Sequence, residues 1–436
     1  MCSLKNKTNA QIIPWGVADS LQKILDDCVI NNNSPGGIMI VHSRSDNWTW
    51  KGQSGIANIS TMQQADTSMF YRIGSISKNI MAVTILHLVD NSILSIHDTI
   101  GKWLDTTLTN KIAYSEHITL KHLLNHTSGI FSYTDDFNLM NSLLTDPNAS
   151  FTSDSLISIA LSHPPDFFPG DSMKYNNTGY VILTKIIESA CGMSYYQYAT
   201  QNILNPTGLN NTFFPDTNVI FQNHMRCYAD FDFNSILEDY TQVSPTFAIG
   251  AGEIISTLDN QIHYFNTLID GNIISQSSYN ELLSPHPGSE YSLGTTIIPG
   301  LIMGHAGNYF NTSGLWYFET LDVVIAFNFN LNLVDFNNGI LIPVYLLLSK
   351  PDLSVQNYNT NNDLIHIYPN PADEELTIEI NEPSEITITD MNGQIVWNTH
   401  ASQLVSSYEI SMLPAGVYNF IAVNSKGIAS KKLIKL

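Results

Sequence analysis

Cysteine, charge and long apolar runs are all scarce in this sequence, and each shortage excludes a class of protein. Four cysteines in 436 residues, with no pair at CxxC spacing, argue against a disulfide scaffold, a zinc site or a redox motif and leave room for one disulfide. The longest apolar run, residues 339–348, contains Pro343 and is far shorter than the roughly 18 residues of a membrane span. We therefore expect no transmembrane segment.

Positive charge is the scarcest kind. The chain has 18 Lys and Arg against 39 Asp and Glu, a net charge of −21, which would repel a phosphate backbone and argues against nucleic-acid binding. Charged residues make up 13% of the chain, about half of the roughly 25% usual in globular domains. Hydrophobic residues make up 43%, enough for a large core, which excludes a disordered chain. At about 150 residues per domain, the length allows about three domain-sized units.

The order of predicted helices and strands indicates an α/β (α+β) domain in the first 350 residues. Apolar residues at helical or alternating spacing predict helices at 16–31, 75–89, 178–200 (with a break at 191–192) and 336–349, a hairpin at 38–50, and strands at 314–317 and 323–329. Strands at both ends enclose a long helical middle. We expect an antiparallel sheet that both ends of the domain complete, flanked by helices, with a helical subdomain inserted.

The composition changes after Lys350. Residues 351–364 are polar, rich in Asn and without periodicity, which is typical of a linker. Short alternating runs follow, at 376–380, 385–389, 394–397, 417–423 and 430–436. They predict a small all-β sandwich. The predicted domains are therefore residues 1–350, the linker 351–364, and the sandwich 365–436.

The sharpest local motif is Ser75-Ile-Ser-Lys78, which follows Gly74. Glycine lets the chain turn tightly into a helix, and Ser75 then lies in the first turn, where free N–H groups and the positive end of the helix dipole face it. Lys78 lies on the same face and can take the hydroxyl proton if apolar surroundings lower its pKa. Ser20-Leu-Gln-Lys23 has the same spacing on an amphipathic helix, and we interpret that copy as structural.

Two later segments add polar groups that complement this pair. Tyr175-Asn-Asn177 ends a loop before the helix at 178, and in an extended backbone its phenol and amide project in the same direction. His305-Ala-Gly307 is expected to start a strand after Gly304, where the glycine lets a substrate backbone lie against the strand edge. Each segment alone is weak, but the three together, in this order, are not expected by chance.

On these three motifs the chain resembles the β-lactamase-related, penicillin-binding-protein-like serine hydrolases, over about residues 16–350. This superfamily includes class C β-lactamases, D-Ala-D-Ala carboxypeptidases, D-aminopeptidases and family VIII esterases. Further stretches resemble it in the same order, at residues 74–98, 119–130, 251–259 and 304–314. The resemblance implies a β-lactamase/transpeptidase-like fold.

The resemblance implies a role for each residue of the first two motifs. Ser75 would be the acylated nucleophile, and Lys78 would accept its proton. Tyr175 would carry a proton to and from the leaving group, while Asn177 would orient Lys78 and bind the substrate amide. Nucleophilic acyl transfer of this kind needs no metal and no organic cofactor, so we expect neither.

The third motif is implied to hold the substrate. His305 and Gly307 would contact it, and the backbone N–H groups of Ser75 and Asn308 would form the oxyanion hole. His305 stands where many β-lactamases have a lysine. A neutral imidazole binds a substrate carboxylate more weakly than an ammonium does, which favours peptidase or esterase activity over efficient β-lactam turnover.

The expected function is therefore acyl transfer from an amide or ester through a Ser75 acyl-enzyme. The expected substrate is a D-amino-acid peptide, as taken by a D-Ala-D-Ala carboxypeptidase or a D-aminopeptidase, or a small ester. A class C-like β-lactamase is the alternative. Outside the enzymes, the alternative is a penicillin-binding sensor or scaffold that is acylated without turnover. Residues 131–170 and 210–245 are expected to shape substrate choice.

Three other candidates are interpreted as structural. His122 and His126 have the spacing of metal ligands on a helix, but they lack the glutamate of the HExxH motif and lie in a stretch that the superfamily uses structurally. Glu253 stands where the superfamily often has glycine and is expected to be a partly buried structural carboxylate. The aromatic pairs at 195–196 and 213–214 are expected in the core or in a subsite wall.

Residues 365–436 resemble the sorting domain of the type IX secretion system, through YPNPA at 368–372, ITDMNGQ at 388–394 and LPAGVY at 413–418. An accessory β-sandwich that binds carbohydrate or stabilises the enzyme is the alternative. The resemblance implies the secretion machinery as a partner and a secreted or outer-membrane cell-surface protein. Residues 1–14 lack the apolar segment of a signal peptide, so we expect that segment to have been removed, and Cys2 could then carry a lipid.

Overall fold

The computed structural model describes residues 13–14, 16–215, 217–218, 223–231, 234–349, 365–390, 395–424 and 427–435. These residues form two compact units. The first contains the described residues up to Val334 together with 347–349, and the second contains Asp335–Leu346 and the described residues from 365 onward. The predicted linker at 351–364 lies outside the described residues, as does Cys2.

The described residues contain elements near every helix and strand that the hydrophobic pattern predicts, together with further short helices and strands that it does not, and the predicted helix at 178–200 forms two helices. The α-helices of the described residues are α1 (Val17–Asn31), α2 (Ser77–Asp90), α3 (Thr106–Thr109), α4 (Leu120–Leu124), α5 (Phe137–Thr145), α6 (Ser153–Leu161), α7 (Thr178–Cys191), α8 (Tyr195–Ala199), α9 (Leu258–Ile269), α10 (Gln276–Leu282) and α11 (Ile342–Leu348). Short 3₁₀ or π turns lie at Gly74–Ile76, Ile100–Lys102, Tyr133–Asp135, Thr200–Leu204, Pro245–Ala248, Glu319–Leu321 and Asn337–Leu341. Among the described residues, no helix is both long and apolar enough to cross a bilayer.

The strands of the first unit are β1 (Gly36–Ser43), β2 (Trp48–Asn58), β3 (Gln63–Gln64), β4 (Tyr71–Arg72), β5 (Tyr228–Ala229), β6 (Glu238–Asp239), β7 (Ile255–Ser256), β8 (Thr296–Ile298), β9 (Ile302–Asn308), β10 (Thr312–Phe318) and β11 (Val323–Phe329). Seven of them form one antiparallel sheet in the order β3-β2-β1-β11-β10-β9-β8. Strand β1 pairs with β11, so that Gly37 lies opposite Phe329 and Ser43 opposite Val323. The prediction of a sheet completed by both ends of the domain is therefore confirmed.

Helix α2 carries the SxxK motif into the core. Its residues from Ile80 to Leu86 are apolar on nearly every side except Thr84, and a helix of this kind is buried all round. The turn Gly74–Ile76 before it contacts β9 and β10, while α2 itself contacts α7, α8 and α10. The motif thus lies where the sheet meets the helical part of the unit.

Two predicted boundaries differ from the structure, and one agrees. The helix predicted from residue 75 begins as the 3₁₀ turn Gly74–Ile76, and α2 starts at Ser77. His305 does not start a strand, because Gly304 pairs with Trp316 and the ladder extends back to Ile302, which leaves His305 in the middle of β9. The predicted break at 191–192 is confirmed, since Gly192 ends α7 in the left-handed conformation (φ 69°).

The second unit ends in a small β-sandwich. Its strands are β12 (Ile365–Tyr368), β13 (Glu375–Ile380), β14 (Ser384–Thr389), β15 (Ile395–Ala401), β16 (Val405–Glu409), β17 (Gly416–Asn424) and β18 (Gly427–Lys435). They form a three-stranded sheet, β12-β13-β16, and a four-stranded sheet, β15-β14-β17-β18. Inward-facing residues of both sheets, such as Ile378 and Phe420, share one hydrophobic core, as the alternating pattern predicts.

Candidate active site

Ser75 is held close to the strand that carries the third motif. Gly74 adopts a left-handed conformation (φ 55°), and a Cβ atom there would lie 2.5 Å from the backbone nitrogen of Asn308. The turn therefore requires glycine both for its conformation and for this close approach. It places Ser75, which is half-buried, beside the Asn308 end of β9.

Lys78 is the nearest basic group to the Ser75 hydroxyl. Its Nζ lies 3.0 Å from Ser75 Oγ and donates a second hydrogen bond, 2.8 Å long, to the carbonyl of Ala251. The side chain is fully buried, and this burial holds its pKa well below the usual value, although the Glu253 carboxylate acts in the opposite direction. Lys78 is thus suited to exist as a neutral amine that takes the serine proton.

The second SxxK copy has none of these properties. Ser20 Oγ donates to the carbonyl of Gly16 at 2.8 Å, and Lys23 forms an exposed ion pair with Asp27 at 2.7 Å. Ser20 and Lys23 are therefore each engaged with another residue of α1 or its N-cap. The same spacing gives a serine–lysine contact across the Gly74–Ile76 turn and the start of α2, and a different set of partners in α1.

Tyr175 lies against this pair. Lys78 Nζ lies 4.8 Å from the centre of the Tyr175 ring and 5.3 Å from that of Tyr180. Tyr175 is 38% exposed, yet desolvation of its phenol dominates and raises its pKa, while a hydrogen bond with the Ser75 side chain lowers it. Because the raised pKa disfavours the phenolate, the phenol is suited to pass on a proton rather than to remove one.

Asn177 lies beside the pair but does not contact Lys78. It is the N-cap residue of α7, its backbone N–H donates to Ser132 Oγ at 3.0 Å, and its side-chain amide donates to Thr134 Oγ1 at 2.9 Å. Its Oδ1 atom is buried and has no hydrogen-bond partner among the described residues. Lys78 Nζ donates to the Ala251 carbonyl and to Ser75 Oγ, and the free Asn177 oxygen stays suited to a substrate N–H.

His305 is buried and neutral in the middle of β9. Its Nδ1 contacts the carbonyl of Ala306, which only accepts hydrogen bonds, so the ring proton lies on Nδ1. Nε2 then accepts from the hydroxyl of Tyr291 at 2.8 Å. Burial and the nearby Lys78 lower the pKa of His305 to about 3. The imidazole therefore carries no positive charge at neutral pH.

Gly307 brings the third motif against the turn that carries Ser75. A Cβ atom at Gly307 would lie 1.9 Å from the carbonyl oxygen of Ile73 and 2.3 Å from Ser313 Oγ. The contact of Gly307 with Ile73 and that of Gly74 with Asn308 hold two segments together. These segments carry Ser75 and Asn308, whose N–H groups form the predicted oxyanion hole. The geometry is compatible with that prediction.

Replacing Gly307 by alanine is expected to destabilise the first unit by about 1–3 kcal/mol, the usual cost of overpacking. The added methyl group would push the Ile73 carbonyl, and Ser75 with it, away from β9. Urea unfolding measures the loss, and Gly101→Ala is the matched control because a Cβ at Gly101 meets nothing within 4 Å. Equal midpoints for the two variants would contradict this close approach.

His122 and His126 do not lie on one helix as the sequence suggests. Helix α4 ends at Leu124, and His126 has a left-handed backbone (φ 65°), so the two rings are not one turn apart. His122 Nδ1 accepts from the Thr119 N–H as part of a capping box. His126 Nδ1 accepts from the Asn176 N–H at 3.1 Å. Both histidines therefore support loop and helix geometry.

Glu253 is buried more deeply than the sequence suggests. Only 2% of it is exposed, and burial raises its pKa to about 7. Its carboxylate accepts from the N–H groups of Gly250 and Gly252, at 2.9 and 3.1 Å. Tyr195 and Phe214, from the two aromatic pairs, pack at a ring distance of 5.0 Å in the core, as expected.

Sequence reasoning missed two partners of the predicted residues. The Ala251 carbonyl carries no side-chain signal, so only the fold shows that it contacts Lys78. Tyr291 lies in a loop without periodicity, and its hydroxyl fixes the His305 ring. A buried polar residue in a strand, such as His305, requires a hydrogen-bond partner, and this requirement is the one sequence signal that such a partner exists.

Comparison with known proteins supports the same assignment of both parts of the chain. A family profile described as beta-lactamase matches residues 21–340, and one described as secretion system C-terminal sorting domain matches residues 366–436. The putative penicillin-binding protein PbpX of Bacillus subtilis (strain 168) is 27% identical over 252 residues, which cover 56% of this chain. The chain spans 33% and 57% of the length of the two Bacillus subtilis penicillin-binding proteins that it matches.

Two of the solved structures that this chain resembles are those of enzymes named for D-stereospecificity or for D-amino acids. A D-stereospecific amidohydrolase from Streptomyces sp. has a TM-score of 0.68 at 25% identity and covers 77% of this chain and 99% of its own. The D-amino acid amidase from Ochrobactrum anthropi SV3 has a TM-score of 0.65 at 21% identity and covers 75% of this chain and 97% of its own. The second likeness is one of fold alone.

Proposed function

Because this chain belongs to the beta-lactamase family, we propose that it is a serine hydrolase that acts on amides or short peptides of D-amino acids through a Ser75 acyl-enzyme. The observation that carries the proposal is the 3.0 Å contact between Ser75 Oγ and the fully buried Lys78 Nζ. The C-terminal sorting domain directs the protein to secretion or to the cell surface. The hydrolase would therefore act outside the cell.

The reaction begins when Ser75 Oγ attacks the substrate carbonyl and Lys78 takes the hydroxyl proton. The C–O bond forms, and the negative charge on the carbonyl oxygen is stabilised by the N–H groups of Ser75 and Asn308. The proton then passes through the Tyr175 phenol to the leaving nitrogen, and the C–N bond breaks. Water attacks the acyl-enzyme with the same groups in reverse, which releases the acid and restores Ser75.

The protonation preferences of the two candidate bases support this division of roles. Burial disfavours charge, so it favours a neutral amine at Lys78 and a neutral phenol at Tyr175. A neutral amine is a base, whereas a neutral phenol is a proton carrier. Lys78 is therefore assigned as the general base and Tyr175 as the proton shuttle to the leaving group.

The neutral third motif supports an uncharged leaving group. His305 offers no positive charge at neutral pH to bind a carboxylate beside the scissile bond. The leaving nitrogen of a simple amide carries no carboxylate and therefore does not need a positive charge in the site. The likeness to a D-stereospecific amidohydrolase supports the D-configuration and the amide class together. A β-lactam, whose carboxylate follows its amide, is accommodated less well.

The purified protein is expected to release ammonia from D-phenylalaninamide faster than from L-phenylalaninamide by about 10–200-fold, the discrimination that one mismatched group in a pocket gives. Ser75→Ala, assayed in parallel, corrects for contaminating amidases. Equal rates on the two enantiomers would remove the stereochemical part of the proposal. Faster turnover of a chromogenic cephalosporin than of either amide would favour a β-lactamase instead.

A further inference from the structure

The backbone turn at residues 250–252 is held by a buried carboxylate. Glu253 Oε1 accepts from the Gly250 N–H at 2.9 Å, and Oε2 accepts from the Gly252 N–H at 3.1 Å. The Gly252 N–H also contacts the Ala248 carbonyl, whereas Glu253 is the partner of the Gly250 N–H. The two oxygens of one side chain therefore grip the turn on both sides of Ala251.

This turn presents a carbonyl to the general base. The residue between the two gripped N–H groups is Ala251, and its carbonyl oxygen accepts from Lys78 Nζ at 2.8 Å. The other contact of Lys78 Nζ is Ser75 Oγ at 3.0 Å. Because the lysine side chain is long and flexible, a fixed second acceptor determines where its nitrogen lies relative to Ser75.

We propose that Glu253 is a positioning residue for the hydrolase reaction, which holds the Ala251 carbonyl in place so that Lys78 Nζ stays aligned with Ser75 Oγ. The inference rests on the proposed function. It differs from the expectation drawn from the sequence, in which Glu253 supported only the fold.

Glu253 affects Lys78 through its charge as well as through the turn that it holds. Glu253 and Lys78 attract each other electrostatically, and among the described residues Glu253 also acts electrostatically on the phenols of Tyr133, Tyr195, Tyr196 and Tyr309. Burial raises the pKa of each of these phenols, so all four stay neutral around pH 7. An ionised Glu253 therefore stabilises the Lys78 ammonium, and Lys78 becomes a free base at a higher pH than it would without the carboxylate.

Glu253→Gln tests the proposal because its amide nitrogen cannot accept from the second N–H group. With p-nitrophenyl acetate as the acylating probe, kcat is expected to fall by about 10–100-fold, the effect of a misplaced catalytic group, with a much smaller change in KM. The acid limb of the kcat/KM profile is expected to move to lower pH, since Lys78 loses a stabilising negative charge. A purely structural role would lower activity without moving that limb.

Two further variants make the result decisive. Asp90→Asn is the matched control, because Asp90 accepts from Ser275 and Ser278 at the start of α10 and lies ~18 Å along α2 from Lys78 at 1.5 Å per residue. It is expected to lower the melting temperature and leave the pH profile unchanged. Glu253→Asp keeps the charge but is too short to grip both N–H groups, so kcat should fall while the acid limb stays in place.

Each outcome decides the question. An unchanged kcat and pH profile in Glu253→Gln, or a loss of kcat without a shift of the acid limb, overturns the inference while the proposed function stands. If Glu253→Gln does not fold, full activity in Glu253→Asp overturns it. If the wild-type protein is not acylated by the ester at all, the proposed function fails, and this inference fails with it.

Discussion

Ser75→Ala is expected to lower kcat/KM for every amide and ester substrate by about 10⁶-fold, the order of magnitude found when a serine nucleophile is removed. The reason is that the variant loses the hydroxyl that Lys78 Nζ contacts at 3.0 Å, and with it the nucleophile. The variant should retain substrate binding, because the groups of β9 are untouched. Steady-state kinetics with D-phenylalaninamide and with p-nitrophenyl acetate measure the loss.

Ser20→Ala is the matched control for this prediction. Ser20 has the same sequence relation to Lys23 as Ser75 has to Lys78, but its hydroxyl donates to the Gly16 carbonyl. The kcat/KM of Ser20→Ala should therefore equal that of the wild type within experimental error. Residual turnover above one per cent in Ser75→Ala would assign the nucleophile to another residue.

Lys78→Met is expected to lower kcat by about 10²–10⁴-fold, the usual contribution of a general base. Methionine fills a similar volume without an amine, so Ser75 keeps its position but loses its proton acceptor. The Ala251 carbonyl loses its Lys78 donor and Glu253 loses its buried partner, so the melting temperature should fall as well. Activity is therefore measured at a temperature at which the variant is folded, so that the loss reports chemistry rather than unfolding.

A control variant and a second measurement show how the loss of kcat in Lys78→Met is to be interpreted. Lys23→Met removes an exposed amine that is paired with Asp27, and it should change neither kcat nor the melting temperature by much, since surface ion pairs contribute little. Intact-mass measurements after rapid mixing show whether the first half-reaction is slowed. Acylation of Lys78→Met at the wild-type rate would place the general base elsewhere, with Tyr175 the next candidate.

Most of the fold could be predicted because it depends on hydrophobic periodicity. The strand at 323–329 and the helix break at Gly192 follow from local sequence alone. The pairing of β1 with β11 follows from the expectation that strands at both ends of a domain complete one sheet. The start of β9 could not be located, because Gly304 suggests a boundary and only the partner strand shows that the ladder continues to Ile302.

The candidate site could be predicted where chemistry depends on side-chain spacing. Ser75 and Lys78 are three residues apart at the start of a helix, a spacing that allows their contact. Asn177 shows the limit of such reasoning, because its Nδ2 donates to Thr134 Oγ1 and its Oδ1 has no hydrogen-bond partner among the described residues. Lys78 Nζ donates instead to the Ala251 carbonyl, and a backbone group of a distant loop leaves no mark on the sequence.

Burial depth is the other property that sequence alone leaves open. Glu253 and Lys78 are both charged residue types, which are mostly exposed in proteins, yet both are buried here. Lys23, which follows Ser20 at the same spacing as Lys78 follows Ser75, is exposed. The functional difference between the two SxxK copies therefore comes from the apolar sequence of α2 and from the elements packed around it.

Intact-mass analysis of the wild-type protein during incubation with p-nitrophenyl acetate and, separately, with a β-lactam, followed by peptide mapping of any adduct, tests directly whether Ser75 is acylated. We expect a transient acetyl adduct on Ser75 with continued release of nitrophenol, and a slow or persistent adduct with the β-lactam. No adduct with either reagent, or an adduct on a residue other than Ser75, would contradict this expectation. A permanent adduct with both reagents would indicate a penicillin-binding sensor that is acylated without turnover.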